Sequence, residues 1–168
     1  MTFTQILMAS GGVLGTAILA TFLIPSKVHV ERTAFVPKPP EAVIALAAAN
    51  AGVQQCIPYK TSDPNLAITM VGPETGVGSG VRFEGKEGKG KQTVVSVTDG
   101  AVTYAIDLGS MGQPTQSIRV AAAQGGSTVT WDMDADMGLN PIARVFGLFM
   151  DRIMGKTLDQ GLQNLAKA

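Results

Sequence analysis

Short segments in which apolar and polar residues alternate follow one another from residue 66 to residue 137. Alternation with a period of two is typical of β-strands that bury one face and expose the other. Turn signals such as Asp99–Gly100 separate the segments. Six strands with such short connections indicate an antiparallel meander. Residues 28–36 predict a further strand, which joins the edge of this sheet after a short helix over residues 41–50.

The last stretch, residues 140–167, predicts one long amphipathic α-helix. Pro141 suits the first helical position, where its missing N–H is not needed. About 25 residues in a helix make a rod of roughly 38 Å, long enough to cover the apolar side of the sheet. Its apolar residues recur every three or four positions and so share one face: Ile142, Val145, Phe146, Phe149, Met150, Ile153, Met154, Leu158, Leu162 and Leu165.

The first 26 residues carry no charged side chain, and residues 6–24 are mostly apolar. A helix needs about 20 such residues to cross a bilayer. A cleaved signal peptide would have a basic n-region and a small-residue cleavage site, and the sequence before Pro25 provides neither. We therefore expect residues 1–26 to be a retained transmembrane anchor. A signal peptide and a buried soluble helix are the alternatives.

The charges around this segment predict its orientation. Lys27, Arg32 and Lys38 follow it and no basic residue precedes it, which predicts a single-pass protein of the inner (cytoplasmic) membrane with residues 27–168 in the cytoplasm. Gly11 and Gly15 form a G-x-x-x-G motif that would allow a homodimer through close approach of two membrane helices. Glycines are also common in membrane helices without this role.

Composition excludes several kinds of site. The chain has 13 Lys and Arg and 13 Asp and Glu, with no basic stripe, so nucleic acid is not an expected partner. The single cysteine, Cys56, cannot form an internal disulfide. The single histidine, His29, excludes a histidine-rich metal site or a Ser–His–Asp triad elsewhere in the chain.

Two motifs suggest ion or phosphate binding and fail in detail. Asp132, Asp134 and Asp136 alternate along the last strand, so they project from one face about 6.8 Å apart, too far to share one cation unaided. A solvated strand face is the favoured interpretation. Residues 85–91 match part of a phosphate loop but connect two predicted strands, which favours a hairpin turn. We therefore expect the chain to have no metal site, no cofactor and no catalytic residue.

Several segments match one known family. They are the strand Val-His-Val-Glu-Arg-Thr (28–33), the helix start Pro40–Glu41, and residues 126–131, 136–141 and 146–151 ahead of the final helix. The chain resembles the START-like or polyketide cyclase-like (SRPBCC) superfamily in its membrane-anchored bacterial form. The resemblance implies an α+β helix-grip fold for residues 27–168, with a seven-stranded antiparallel sheet wrapped around the C-terminal helix. It also implies a deep cavity for lipids, sterols, polyketides or other hydrophobic ligands.

The inward faces of the strands and of the helix would line such a cavity, although the same residues would equally make a solid core. Tyr59, Tyr104, Arg82 and Asn140 are polar groups that could orient a ligand there. The predicted lining consists of Tyr59, Val81, Phe83, Tyr104, Ile106, Ile118, Val120, Trp131, Met133, Val145, Phe149, Met150 and Ile153.

The hypothesis that follows is a membrane-anchored domain that binds a hydrophobic small molecule or lipid without catalysis. It rests on an apolar sheet and helix with no acid–base pair and no metal cluster in the sequence. One alternative is an enzyme of the polyketide cyclase or aromatase type, with Tyr104 or Arg82 moving protons. Another is a structural or partner-binding module with a solid core.

Overall fold

The computed structural model describes residues 20–52, 63, 65–86 and 88–168. Its helices are α1 (Pro40–Ala48), α2 (Pro141–Gly147) and α3 (Met150–Lys167). A single 3₁₀ turn is assigned in these residues, over Gly109–Met111. The strands are β1 (Lys27–Val36), β2 (Ala67–Val71), β3 (Gly80–Gly85), β4 (Gly88–Val97), β5 (Ala101–Asp107), β6 (Thr115–Ala123) and β7 (Gly126–Asp136).

In this part of the chain the strands form one antiparallel sheet in the order β1-β7-β6-β5-β4-β3-β2. Strands β2 to β7 are a meander, and β1 pairs with β7 over its full length, from Lys27 opposite Asp136 to Val36 opposite Ser127. The predicted seven-stranded antiparallel sheet and the edge position of β1 are therefore confirmed. We call the side of the sheet that α1 and α3 cover the concave face and the opposite side the convex face.

Local chemistry explains the strand ends. Thr98 N donates to the Ala101 carbonyl at 2.8 Å across the predicted Asp99–Gly100 turn. Gly125 adopts a φ of 79° in the turn between β6 and β7, a conformation that only glycine takes without strain. The register of β4 against β5 shifts between Val94 and Ser96, and such a bulge increases the local bend of a sheet.

Helix α1 covers one end of the concave face. Pro40 occupies its first turn, and its buried side consists of Val43, Ala47 and Ala48. The Tyr104 hydroxyl of β5 donates to the Ala47 carbonyl at 2.7 Å, which ties the helix to the middle of the sheet. The short helix predicted for residues 41–50 is thus present, with its bounds moved by one or two residues.

The C-terminal helix is two helices, which corrects the prediction of one continuous rod. Leu148 N donates to the Val145 carbonyl at 3.2 Å and Phe149 N to that of Phe146 at 3.0 Å. These bonds span three residues instead of four, so the chain tightens and turns between α2 and α3. Asn140 begins α2 as its N-cap, with its side-chain oxygen accepting from Ile142 N at 3.0 Å and from Ala143 N at 3.3 Å.

Helix α3 packs against β1 and, less extensively, β7. Leu158, Leu162 and Leu165 are at most 1% exposed and belong to the main apolar core. Burying side chains of this size stabilises a fold by about 1.5–3 kcal/mol each. Gly155 and Gly161 lie on the same side and allow close approach, because a Cβ on either would overlap Arg32 or Trp131.

The N-terminal segment enters the domain beside α2. Arg144 Nη1 donates to the Phe22 carbonyl at 3.1 Å and to the Ile24 carbonyl at 3.0 Å. No helix among the described residues is both long enough and apolar enough to cross a bilayer. Residues 6–19, with the predicted Gly11 and Gly15 contact, lie outside the described residues, as do Cys56 and Tyr59.

Candidate functional site

The concave face provides the largest set of buried side chains in the domain. Eight of the predicted lining residues point to this face: Val81, Phe83, Tyr104, Ile106, Ile118, Val120, Trp131 and Met133. Seven of these are at most 9% exposed, and Phe83 is half-buried. The period of two placed these residues correctly, because neighbouring strands in register bring their inward positions into common rows.

One such row runs across five strands and combines apolar and polar groups. Val30, Met133, Gln116, Tyr104 and Val94 lie side by side on β1, β7, β6, β5 and β4. All five are at most 3% exposed. The Tyr104 hydroxyl is engaged by α1, as described above, so its main observed role is to hold that helix in place.

Two glutamine carboxamides on the concave face were missed by the sequence analysis. Gln92 is 5% exposed and lies between Val81 and Ile106 in the register, and Gln116 is 3% exposed. Gln116 Oε1 accepts from the indole nitrogen of Trp131 at 3.3 Å. Among the described residues, the Gln92 carboxamide and the Gln116 Nε2 have no hydrogen-bond partner. The sequence contained the signal. Gln92 is two residues from Val94 and Gln116 is two residues from Ile118, so on a β-strand each glutamine faces the same side of the sheet as its apolar neighbour.

Arg32 brings a charge to the concave face, under α3. Its guanidinium donates to the two carboxylate oxygens of Asp151 at 2.9 and 3.1 Å and lies 3.6 Å from Asp159. The hydrogen bond from Arg32 lowers the pKa of Asp151, and the bond to Asp151 raises the pKa of Arg32. The arginine is therefore matched by carboxylates of α3, and it links β1 to that helix without leaving a free charge on the concave face.

The three aspartates of β7 lie on the convex face, as predicted, but they are not equally solvated. Asp134 and Asp136 are exposed, whereas Asp132 is only 3% exposed, so the interpretation of a fully solvated face was wrong for Asp132. Arg119 Nη1 lies 2.9 Å from Asp132 Oδ1, an ion pair outside good hydrogen-bond geometry. Burial is the main cause that raises the pKa of Asp132.

The ion pairs of this face continue to β1. Arg119 Nη2 donates to Glu31 at 2.5 Å, and His29 Nδ1 lies 2.8 Å from Asp134 Oδ1. The hydrogen bond with Asp134 raises the pKa of His29. Within the described ranges, no group of three or more His, Cys, Asp or Glu side chains is arranged to hold a metal ion. The arrangement is a surface network of alternating charges across β1, β7 and β6.

Several predicted site residues lie elsewhere than expected. Val145, Phe149 and Ile153 are 40%, 54% and 45% exposed, so they do not face the sheet as a lining would. Met150 is half-buried against the core, as expected for a residue at the edge of the interior. The predicted apolar face was correct for Leu158, Leu162 and Leu165 but wrong for Val145, Phe149 and Ile153. The reason is that the chain turns after α2, and α3 buries the side that carries Met150, Met154 and the three leucines.

The polar residues predicted to orient a ligand are also dispersed. Arg82 is exposed on the convex side of β3, opposite Lys91. The Asn140 side chain is engaged as the N-cap of α2. Tyr104 and Arg82, on which the enzyme alternative depended, therefore lie on opposite faces of the sheet. The Tyr104 hydroxyl is in addition bonded to α1. Tyr59 lies outside the described residues.

A cleft of about 590 Å³ opens between α1 and the β4–β5 hairpin. It is distinct from the predicted space between the sheet and α3. Its lining combines apolar side chains with the carboxylates of Glu41 and Asp99. The lining is Pro40, Glu41, Ile44, Ala45, Ala48, Thr75, Gly76, Val97, Thr98 and Asp99.

Solved structures share this architecture at low sequence identity. Protein CV1439 from Chromobacterium violaceum is 13% identical, with a TM-score of 0.61 over 83% of this chain and 96% of its own. The KanY protein is 19% identical, with a TM-score of 0.63 over 84% of this chain and 96% of its own. StfQ, a di-domain aromatase/cyclase (ARO/CYC) of the steffimycin biosynthetic pathway, is 11% identical, with a TM-score of 0.60 over 84% of this chain and 50% of its own. These likenesses show the fold.

Sequence comparison identifies the family directly. No curated protein matches the chain significantly. The model of one protein family does match, over residues 27–168, a range that includes the seven strands and three helices assigned in the described residues. The superfamily expected from the sequence is thereby confirmed: the chain belongs to the family described as polyketide cyclase / dehydrase and lipid transport.

Proposed function

We propose that this protein is a membrane-tethered domain that binds an uncharged hydrophobic small molecule or lipid on the concave face of its sheet. The observation that carries the proposal is the chemistry of that face. Its buried side chains are apolar except for Tyr104, Gln92, Gln116, Ser79 and Ser127, and both serine hydroxyls donate to backbone carbonyls. Arg32 is half-buried there, and its charge is matched by Asp151 and Asp159. Such a surface suits a ligand that is mostly apolar and carries a neutral polar group.

The two carboxamides suggest how the ligand is oriented. Among the described residues, the fully buried polar atoms without a hydrogen-bond partner are Asn50 Oδ1 and Asp132 Oδ1, so the amide groups of Gln92 and Gln116 stay accessible although most of each residue is buried. A hydroxyl or carbonyl group on the ligand would pair with Gln92 or with the Nε2 of Gln116. An anionic ligand would find no unmatched cation on this face among the described residues, which favours a neutral one.

The proposed tether is the apolar segment over residues 6–24. It carries no charge, and the first basic residues come directly after it. By the positive-inside rule this charge distribution supports a domain on the cytoplasmic side of the inner membrane. The bonds from Arg144 to the Phe22 and Ile24 carbonyls hold the end of the segment against α2. Contact between Gly11 and Gly15 of two copies would give a dimer in the membrane.

Native mass spectrometry of the full chain released from lipid nanodiscs tests ligand binding. We expect an additional mass that organic extraction identifies as a hydrophobic small molecule or lipid. Gln92→Leu should reduce its occupancy about tenfold, the loss expected when one hydrogen bond worth about 1.4 kcal/mol is removed. Gln113→Leu, at an exposed position between β5 and β6, is the matched control and should retain the ligand. An empty wild-type chain would contradict the proposal, as would equal occupancy in the two variants.

A further inference from the structure

Large apolar side chains are exposed in one place rather than scattered. Within the described residues, nine of the fourteen large apolar side chains that are exposed surround α2 and the start of α3. We call this surface the apolar platform. It consists of Phe22, Leu23, Leu139, Ile142, Val145, Phe146, Leu148, Phe149 and Ile153, which are 40–87% exposed. Contiguous apolar surface of this kind on a protein marks an interaction site.

Helix α2 is turned the opposite way from an ordinary surface helix. It contacts the sheet through Gly147, where an added Cβ would lie 3.0 Å from Val28 and 3.3 Å from Met137. Ile142 and Phe146, four residues apart on the other side, are 79% and 52% exposed. A helix that only had to stabilise the domain would bury its large residues and expose its polar ones. The orientation therefore implies that something apolar lies against the outer side of α2.

The platform is continuous with the end of the uncharged N-terminal segment. Phe22 and Leu23, 44% and 87% exposed, belong to both. Arg144 holds this point by its bonds to two carbonyls, and its guanidinium carbon lies 5.1 Å from the centre of the Phe22 ring. The described end of the uncharged segment thus lies at the edge of the platform, and none of the nineteen residues before Ala20 is charged.

Basic residues border the platform. Arg152 and Lys156 are exposed on α3, and helical spacing places them on the same side as Phe149 and Ile153. Lys27, exposed at the start of β1, lies opposite Asp136 and so adds no net charge to this border. The Asp151 carboxylate, next to Arg152 in the chain, is already paired with Arg32. An apolar surface with a basic border matches the boundary between the acyl chains and the anionic headgroups of a lipid bilayer.

We infer that the apolar platform inserts into the cytoplasmic leaflet of the same bilayer that holds the N-terminal segment, with α2 lying in the interface and Arg152 and Lys156 on anionic headgroups. The inference rests on the proposed tether and is independent of the proposed ligand. It gives the domain a second contact with the membrane, so that the sheet is held at a fixed orientation instead of moving freely on its anchor.

Depth-dependent fluorescence quenching on the full chain tests this inference. The Ile142→Trp and Phe146→Trp variants are reconstituted in vesicles of phosphatidylcholine with a minority of phosphatidylglycerol, with and without bromine on the upper acyl chain. Phe35→Trp is the control, because Phe35 is 53% exposed on the convex face, about 26 Å along β1 from Lys27. Trp131, 5% exposed, gives a constant background that the parent chain measures.

We expect bromine to quench the two platform tryptophans at least about twofold more than the control, with a smaller effect in vesicles of phosphatidylcholine alone. Equal quenching of platform and control tryptophans overturns the inference. A blue-shifted emission without bromine quenching also overturns it, because the platform would then be covered by a second copy or by residues 6–19.

Two further readouts separate this inference from the proposed function. Retention of the chain on vesicles after an alkaline wash reports on the tether, and the mass of the bound ligand reports on the concave face. Ile142→Glu together with Phe146→Glu should abolish the platform contact, measured as loss of quenching of a Phe149→Trp reporter, while the chain stays on the vesicles and retains its ligand. Unchanged quenching of that reporter would contradict insertion of the platform.

Discussion

Helices α2 and α3 come from one stretch with one apolar repeat, yet they present that repeat in opposite directions. Helix α3 buries Leu158, Leu162 and Leu165 against the sheet, whereas α2 exposes Ile142 and Phe146. In both helices a glycine lies at the contact with the sheet. The comparison shows that the packed side of a helix is selected by where the backbones can approach closely, and that large residues are buried only when they share this side.

The largest expected effect contrasts a buried and an exposed residue of the same repeat. Leu162→Ala should lower the free energy of unfolding by about 2–5 kcal/mol, because it opens a cavity at a position that is 1% exposed. Ile142→Ala, at 79% exposure, should change it by about 0.5 kcal/mol or less. Urea unfolding of the full chain in detergent measures both. Similar losses in the two variants would contradict the contrast between α2 and α3.

The glycines of α3 allow a second test. Gly161→Ala places a Cβ against the rigid indole of Trp131 and should cost about 1 kcal/mol net, after the gain in helix propensity. Gly155→Ala meets the flexible end of Arg32 and should change stability by about 0.5 kcal/mol or less. Unfolding by urea with Trp131 emission as the probe distinguishes them. A stabilised Gly161→Ala variant would show that close approach is not required there.

The cap of α2 gives a smaller and local effect. Asn140→Ala removes the acceptor for Ile142 N and Ala143 N and should destabilise α2 by about 1 kcal/mol, or about fivefold in amide protection. Hydrogen exchange should show the loss in α2 and no change in α3, whose first turn has no side-chain cap. Equal loss of protection in both helices would mean that they unfold as one unit.

The smallest effect concerns the attachment of α3 to β1. Because Arg32 lowers the pKa of Asp151, this pair stabilises the fold above the ordinary aspartate pKa, and the stabilisation is lost as pH falls through the lowered pKa. Arg32→Met should return the Asp151 pKa to its ordinary range in an NMR titration. Asp136 is the control, because its pKa is lowered mainly by the backbone N–H of Gly138. An unchanged pKa of Asp151 in the variant would exclude Arg32 as the cause.

The strands were predictable because their pattern is local. Residues such as Ile118 and Val120 alternate with polar neighbours, and each turn carries its own glycine or aspartate. Two of the missed site residues, Gln92 and Gln116, occupy inward-facing positions of the same alternating pattern. They were overlooked because a polar residue is expected outside, and only the neighbouring strands show that its position is buried.

Asp132 illustrates the converse case. Its alternation with Met133 placed it correctly on the convex face, where solvent is the expected surrounding. Its burial comes from Arg119 on β6 and Glu31 on β1, whose side chains converge over it from both neighbouring strands. No pattern within β7 contains that information, because it depends on which residues the register brings alongside.

The amino-acid sequence alone therefore determined the seven strands, their antiparallel order, the inward faces of β3, β5, β6 and β7, and the family of the chain. These depend on periods and turns within a few residues, where backbone sterics and hydrogen bonding act. Tertiary structure decided the break after Gly147, the rotation that turns Val145, Phe149 and Ile153 outward, and the pairing of Arg32 with α3. A helical repeat defines which residues share a face, but only the surface against which the helix packs decides which face is buried.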